Sequence, residues 1–239
     1  MIDILAILFC VIEIQEQTII YIPDKEFRKF RNVKAGNISN GVLYRSSSPL
    51  KGGDTKKAKE KMAVKAGIKC VINLDDDNSV LRKLSEDVPW YYELVVKKCV
   101  IGVPMTISIP GSKLNEKKLK TAIQFMISHE GPYLIHCFAG IDRTGFVIAL
   151  LEALMGASLK EICKDYLSVF PVDYSDTCRQ ELYRKMENFI IQLNKITQEE
   201  TLTDENIQST TVRYLHENIH LSQVEIEKLK ERLSGTKNV

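Results

Sequence analysis

The stretch YLIHCFAGIDRTGFVIALL (Tyr133–Leu151) constrains the fold more than any other part of the chain. A short apolar run, YLIH, meets a polar loop, and the loop leads at once into a second apolar run, TGFVIALLEALMG, that is hydrophobic almost all round. Such a helix has no polar face to turn to water, so it has to be central and buried, ending at Gly156. The run before it has the length of a strand and lacks that of a helix. A buried strand feeding directly into a buried helix demands layers on both sides, the arrangement of an α/β fold.

Neighbouring segments agree with this reading. IKCVINL, from Ile68, is short, β-branched and apolar on both faces, as a strand in a covered parallel sheet should be. Between Phe27 and Leu50, turn formers enclose a short apolar VLY, which reads as loop, strand, loop. GGDTKKAKEKMAVKAG predicts a helix capped by Asp54 or Thr55 and stopped at Gly67, its lysines on a solvated outer face. A helix around Val80 to Glu86 follows, and WYYELVV and CVIGVPM read as extended segments limited by Pro104 and Pro110. Asn115 is placed to cap EKKLKTAIQFMIS, whose Leu119, Ala122, Ile123 and Met126 form one apolar stripe. Ser158 with Glu161, and Ser222 with Glu225, make capping boxes for two later helices. Further helices are expected from Ser175 to about Lys195 and from Thr203 to about Asn218. The expectation is an α/β fold with a parallel or mostly parallel central sheet flanked by helices, and a helical carboxyl-terminal extension. One domain spans 1–239, with amino-terminal strands in 1–26, a catalytic α/β core in 27–195 and the extension in 196–239.

Composition narrows the class of partner. Lys and Arg number 33 against 31 Asp and Glu, a formal charge of +2, too balanced for a dedicated nucleic-acid binder. No nucleic-acid partner is therefore expected. The six cysteines form no C-x-x-C pair and no zinc-like or disulfide-like spacing, so reduced thiols and no metal are expected. ILAILFCVI (Ile4–Ile12) is far shorter than the roughly 20 residues of a membrane span. It lacks a basic lead-in and a small-residue cleavage site, and reads as a buried first strand, with no integral membrane span. A cytoplasmic setting is favoured, with a secreted one left open.

The loop HCFAGIDRTG carries the chemistry. Cys137 falls just past the carboxyl end of a strand, where open α/β sheets bind ligands, and Arg143 follows after five residues. Gly140 lets so short a loop turn tightly. Loop amides of Phe138, Ala139, Gly140 and Ile141, with the unpaired amides of the helix start, then line a cup suited to an anion. Arg143 can grip two oxygens of a phosphate with its planar fork. Positive surroundings of this kind favour the thiolate form of a cysteine, the nucleophilic one. Thr144 is placed to donate its hydroxyl to the sulfur. His136 should point to the opposite face of the strand and brace the loop.

His-Cys, five residues and Arg-Thr together resemble the signature of cysteine-dependent tyrosine phosphatases. The nearer resemblance is to the bacterial and fungal tyrosine-phosphatase family, with its fuller form Cys-x-x-Gly-Lys-Asp-Arg-Thr-Gly. FRNVKAGNISNGVLYRSSSPL, AGIKCVINL, KDYL and YLHENIHLSQVEIEKLKERL are similar to other parts of that family, so the resemblance spans roughly Phe27 to Leu233. It implies a dual-specificity-like phosphatase domain that needs no cofactor and no metal, and a phosphorylated protein or a phosphoinositide as substrate. Cys137 is then the nucleophile and Arg143 the oxyanion clamp. Phe138, Ala139, Gly140, Ile141 and Thr144 bind the substrate phosphate.

Two departures stand out. Ile141 occupies the place of the family's lysine, removing a charge that would help to hold multiply phosphorylated lipid heads. NLDDD stands where Asp-Leu-Arg is usual, so Asp75 reverses a charge near the mouth, and Asp76 and Asp77 read as loop carboxylates. VIGVPMTISIPGSKLN, where a proton-donating loop is expected, contains no acid. Asp142 is the leading candidate for general acid, the alternative being an anion that pairs with the helix start or with Arg143. Arg45 in YRSSS reads as an ion-pair partner, or as a second substrate contact. Phosphotyrosine on protein is the favoured substrate of a hydrolase. A phosphate-binding module without turnover and a sulfur transferase are the other two classes the loop admits.

Overall fold

A computed structural model describes residues 29–53, 55–106, 113–169 and 202–235. The expected amino-terminal strands and the helix from Ser175 to Lys195 lie outside the described residues.

Five strands form one sheet: β1 (Arg31–Asn32), β2 (Leu43–Ser47), β3 (Cys70–Asn73), β4 (Val100–Gly102) and β5 (Tyr133–Cys137). Their spatial order is β1-β2-β5-β3-β4. β5 lies in the middle, parallel to β2 and β3, and β4 continues the parallel set; the edge strand β1 is antiparallel to β2. The mostly parallel sheet expected from the apolar runs is therefore present. Register aligns Ser47 with Cys137 and Asn73 with His136, so three strands end together at one rim.

The eight described helices are α1 (Thr55–Lys65), α2 (Asn78–Leu84), α3 (Pro89–Val96), α4 (Lys113–Ser128), α5 (Asp142–Leu154), α6 (Leu159–Leu167), α7 (Ile207–Glu217) and α8 (Gln223–Ser234). They form two layers, and the period-2 alternation of the strands assigns the contacts. Cys70, Ile72, Tyr133, Ile135 and Cys137 face a core shared with α4, α5, α7 and α8, while Val71 and Leu134 face α1, α2 and α3. Ile72 and Ile135 are wholly buried, and each contributes about 1.5–3 kcal/mol through removal of apolar surface from water. Leu215, Ile226, Leu229 and Leu233 join the main core, so the carboxyl-terminal helices form part of the layer that covers the sheet. Both capping boxes are formed, at Ser158 with Glu161 and at Ser222 with Glu225. No helix among the described residues is long and apolar enough to cross a membrane.

Three local expectations are corrected. WYYELVV is helix α3: Pro89 occupies its first turn, and Tyr91 and Leu94, three apart, share one buried side. Asn115 lies inside α4, and its side-chain amide bridges back to Thr106, accepting from Thr106 N at 3.1 Å and donating to Thr106 O at 3.0 Å. The lysines of α1 are not all solvated. Lys59 is 3% exposed and donates to Ser48 O and Lys51 O, at 3.1 and 3.2 Å. A buried ammonium is tolerated because carbonyl oxygens replace the lost water.

Candidate active site

The site lies where β5 ends and α5 begins. Residues 138–141 make the turn, and Gly140 is indispensable to it for two reasons. Its φ is +70°, and a Cβ there would stand 2.4 Å from the Ser46 carbonyl oxygen. Its N–H donates to Cys137 Sγ at 3.3 Å. The helix start is left open: Ile141, the N-cap residue, gives no side-chain cap, so the first amides of α5 have no partner within the helix. Those amides and the positive end of the helix are what an anion would meet.

Arg143 is fixed from outside the loop. Nη1 donates to Leu74 O at 2.9 Å, and Nη2 pairs with Asp75 at 2.8 Å. Nε is buried and has no partner among the described residues. One edge of the guanidinium is thus engaged by the β3 loop, leaving Nε–H and the second Nη2 hydrogen as a fork for a ligand. Thr144 corrects an expectation: its hydroxyl is buried without a partner among the described residues, and Sγ receives the Gly140 amide in its place.

Behind the loop lies an ionic cluster built around a fully buried arginine. Arg45, 0% exposed, donates from Nη2 to Gly140 O at 3.1 Å and pairs through Nη1 with Asp165. Arg31 reaches the same carboxylate through Nε at 3.1 Å and Nη2 at 2.9 Å. Burial opposes the charge on Asp165, but Arg45 and Arg31 outweigh it and hold the carboxyl below its usual range. Burial and the nearby Arg45 charge lower Arg31 to about 10. Glu152, 1% exposed, is pushed well upward by burial and by Asp165. Arg45 thus takes the ion-pair role, with its second Nη on the loop itself.

Below the loop, His136 points away from the cup, as strand alternation predicts. Its Nε2 lies 3.0 Å from Tyr91 Oη, which receives Asn73 Nδ2 at 3.2 Å. Burial lowers His136 to about 4, so it is neutral and braces the strand. Asn73 Oδ1 also accepts from Asp75 N and Asp76 N, at 2.8 and 3.0 Å, which folds the aspartate loop over the rim. Asp77 caps α2 by accepting from Ser79 N.

At the mouth stand Phe138, 60% exposed, and Lys51, whose Nζ lies 5.3 Å from the Phe138 ring centre. Lys51 pairs with Asp75 and, at 3.0 Å, with Asp76. Burial works against the carboxylate of Asp75, but Lys51 and Arg143 win and keep its pKa below the ordinary value. Asp142, in the first turn of α5, is exposed. Ile141 is half-buried at the rim. Sequence reasoning missed Lys51 and Lys59, which are distant in the chain and belong to no motif. The charge reversal at Asp75 was the one available signal for its place beside Arg143.

A thiol at a strand end, a guanidinium one loop later and an uncapped helix start define a cysteine-based oxyanion site on an α/β sheet. A family model described as the tyrosine phosphatase family matches residues 109–235, more than half of the chain, and covers this loop. The chain belongs to the tyrosine phosphatase family. The triple specificity protein phosphatase PtpB of Mycobacterium tuberculosis is 56% identical over 36 residues, 15% of this chain; the match covers 13% of that relative's length. The core catalytic domain of the PP-IP phosphatase SIW14 from S. cerevisiae, solved with citrate, aligns at 21% identity and a TM-score of 0.37. That alignment covers 69% of this chain and 94% of that one.

Proposed function

We propose that this protein hydrolyses phosphate monoesters through a phosphocysteine, with phosphotyrosine in proteins as its substrate. One observation carries the reading: Cys137 Sγ, the Gly140 amide and an Arg143 fork with an unengaged Nε–H share a single strand-to-helix bend. The Cys137 thiolate attacks phosphorus opposite the ester oxygen, the P–O bond breaks, and its electron pair leaves with the phenolic oxygen. Asp142 gives that oxygen a proton. Loop amides of Phe138, Ala139, Gly140 and Ile141, with Arg143, hold the charge on the equatorial oxygens, in the environment that Thr144 helps to enclose. Water then attacks phosphorus, gives up a proton to Asp142, and the P–S bond breaks to return thiolate and inorganic phosphate.

Two features favour an aryl ester on a protein. The exposed Phe138 ring offers an apolar flank to a phenyl leaving group. Ile141 brings no charge for a polyphosphorylated head. The test is Cys137→Ser in the full chain, assayed with an aryl phosphate and with phosphotyrosyl, phosphoseryl and phosphoinositide substrates. Retained vanadate binding with turnover abolished, and wild-type preference for phosphotyrosine, are expected. Undiminished hydrolysis by the variant overturns the mechanism. Wild-type preference for phosphoinositide overturns the substrate. A phosphate-binding module without turnover is the second reading, favoured by the lack of any acid from Val100 to Asn115; retained vanadate binding by an inert wild type would establish it.

A further inference from the structure

We propose that Asp75, with Asp76 beside it and Lys51 between them, is the specificity-determining element of the cup, restricting it to substrates with a single phosphate. The inference rests on the reading of the cup as a phosphate site and extends it to what surrounds that phosphate.

Charge and geometry both lead there. Arg143 and Lys51 are met by the carboxylates of Asp75 and Asp76, two cations against two anions in one connected chain of contacts. Asp75 holds one Nη2 hydrogen of Arg143 and Leu74 O holds one on Nη1, so the Nε edge is still open to a first phosphate. A second phosphate on the same substrate would have to lie outside the bend. Among the described residues the cation in reach there is Lys51, which already has both carboxylates as partners. Lys51 is also held in place from behind, because the buried Lys59 ammonium binds the carbonyls of Ser48 and Lys51, and Ser48 N binds Phe138 O at 3.1 Å. Among the described residues, further anionic charge at the mouth therefore meets two carboxylates whose cations are already paired. Asp142, exposed in the first turn of α5, adds a third carboxylate.

Asp75 also orients Arg143, and that role affects every phosphate alike. A ratio of affinities for two anions cancels it and isolates the discrimination. The experiment titrates the full-length Cys137→Ser protein calorimetrically with inorganic phosphate and with pyrophosphate, alone and combined with Asp75→Asn, Lys51→Met or Asp87→Asn. Asp75→Asn should raise the pyrophosphate-to-phosphate affinity ratio about 5-fold, the size expected for one charge several ångströms away in a partly solvated site. Lys51→Met should move the ratio the other way, since it removes the cation and leaves both carboxylates. Asp87→Asn, whose exposed carboxylate pairs with Lys56, should leave it unchanged. High salt should shrink both shifts. Two anions bound with the same ratio in the Asp75 and Lys51 variants overturns this inference alone. Failure of the parent protein to bind either anion overturns the phosphate reading and the inference with it.

Discussion

The loop of residues 138–141 is held between two ionic clusters that differ most in one cation each, Arg45 behind and Lys51 in front. Behind it, Arg45 and Glu152 are packed out of water, at 0% and 1% exposure, and Arg31 and Asp165 keep 20% and 14% of their side-chain surface. In front, Asp75, Asp76 and Arg143 keep only 11%, 11% and 14% of their side-chain surface, and Lys51, at the mouth, keeps 33%. Identical chemistry performs different work in the two places. In the rear cluster the Arg45 charge depends on its partners, because water cannot replace a lost one, and Arg45 in turn holds the loop through Gly140 O. In the front cluster water reaches the Lys51 ammonium, so that one charge can be exchanged at low cost to the fold. That makes Lys51 the charge of the two clusters that can be changed with the fold left intact.

The largest expected effect is therefore behind the loop. Asp165→Ala leaves the fully buried Arg45, and Arg31 beside it, without their carboxylate and should destabilise the protein by about 3–5 kcal/mol in urea unfolding. A loss under 1 kcal/mol would erase the distinction between the two clusters. Next comes the brace beneath the loop. His136 is neutral in the fold and lowered to about 4 from 6.5. The unfolded chain therefore binds a proton that the native state refuses, and stability falls as pH drops from 6.5 toward 4, by up to about 3 kcal/mol. Thermal melts of wild type and His136→Gln across that range should diverge at pH 7 and converge toward pH 4. The smallest effect is at the front. Lys51→Met should cost no more than about 1 kcal/mol of stability, as a screened pair does, while still shifting the anion ratio. A loss as large as that of Asp165→Ala would show the mouth to be structural after all.

Much of this was legible in the sequence, for reasons tied to particular residues. The apolar β5 and α5 runs declared their burial, Gly140 its turn, and the Ser158 and Ser222 boxes their helix starts, because each effect acts over a few residues. WYYELVV misled because aromatic and β-branched composition suits a strand, whereas Pro89 and the tertiary burial of Tyr91 and Leu94 settled it as a helix. Lys59 misled because a lysine in a lysine-rich helix carries no sign of the carbonyls that fold over it. Asp75 was visible as a reversed charge, but not as the partner of Arg143.

The sequence by itself determined the layered class and the bend carrying Cys137 and Arg143, because periodicity, caps and one glycine are local constraints. Only the tertiary structure decided how that bend is held and what guards it. Arg45 meets Asp165 across 120 residues and Lys51 meets Asp75 across 24, through pairings created by strand register and helix packing that no short stretch of chain encodes.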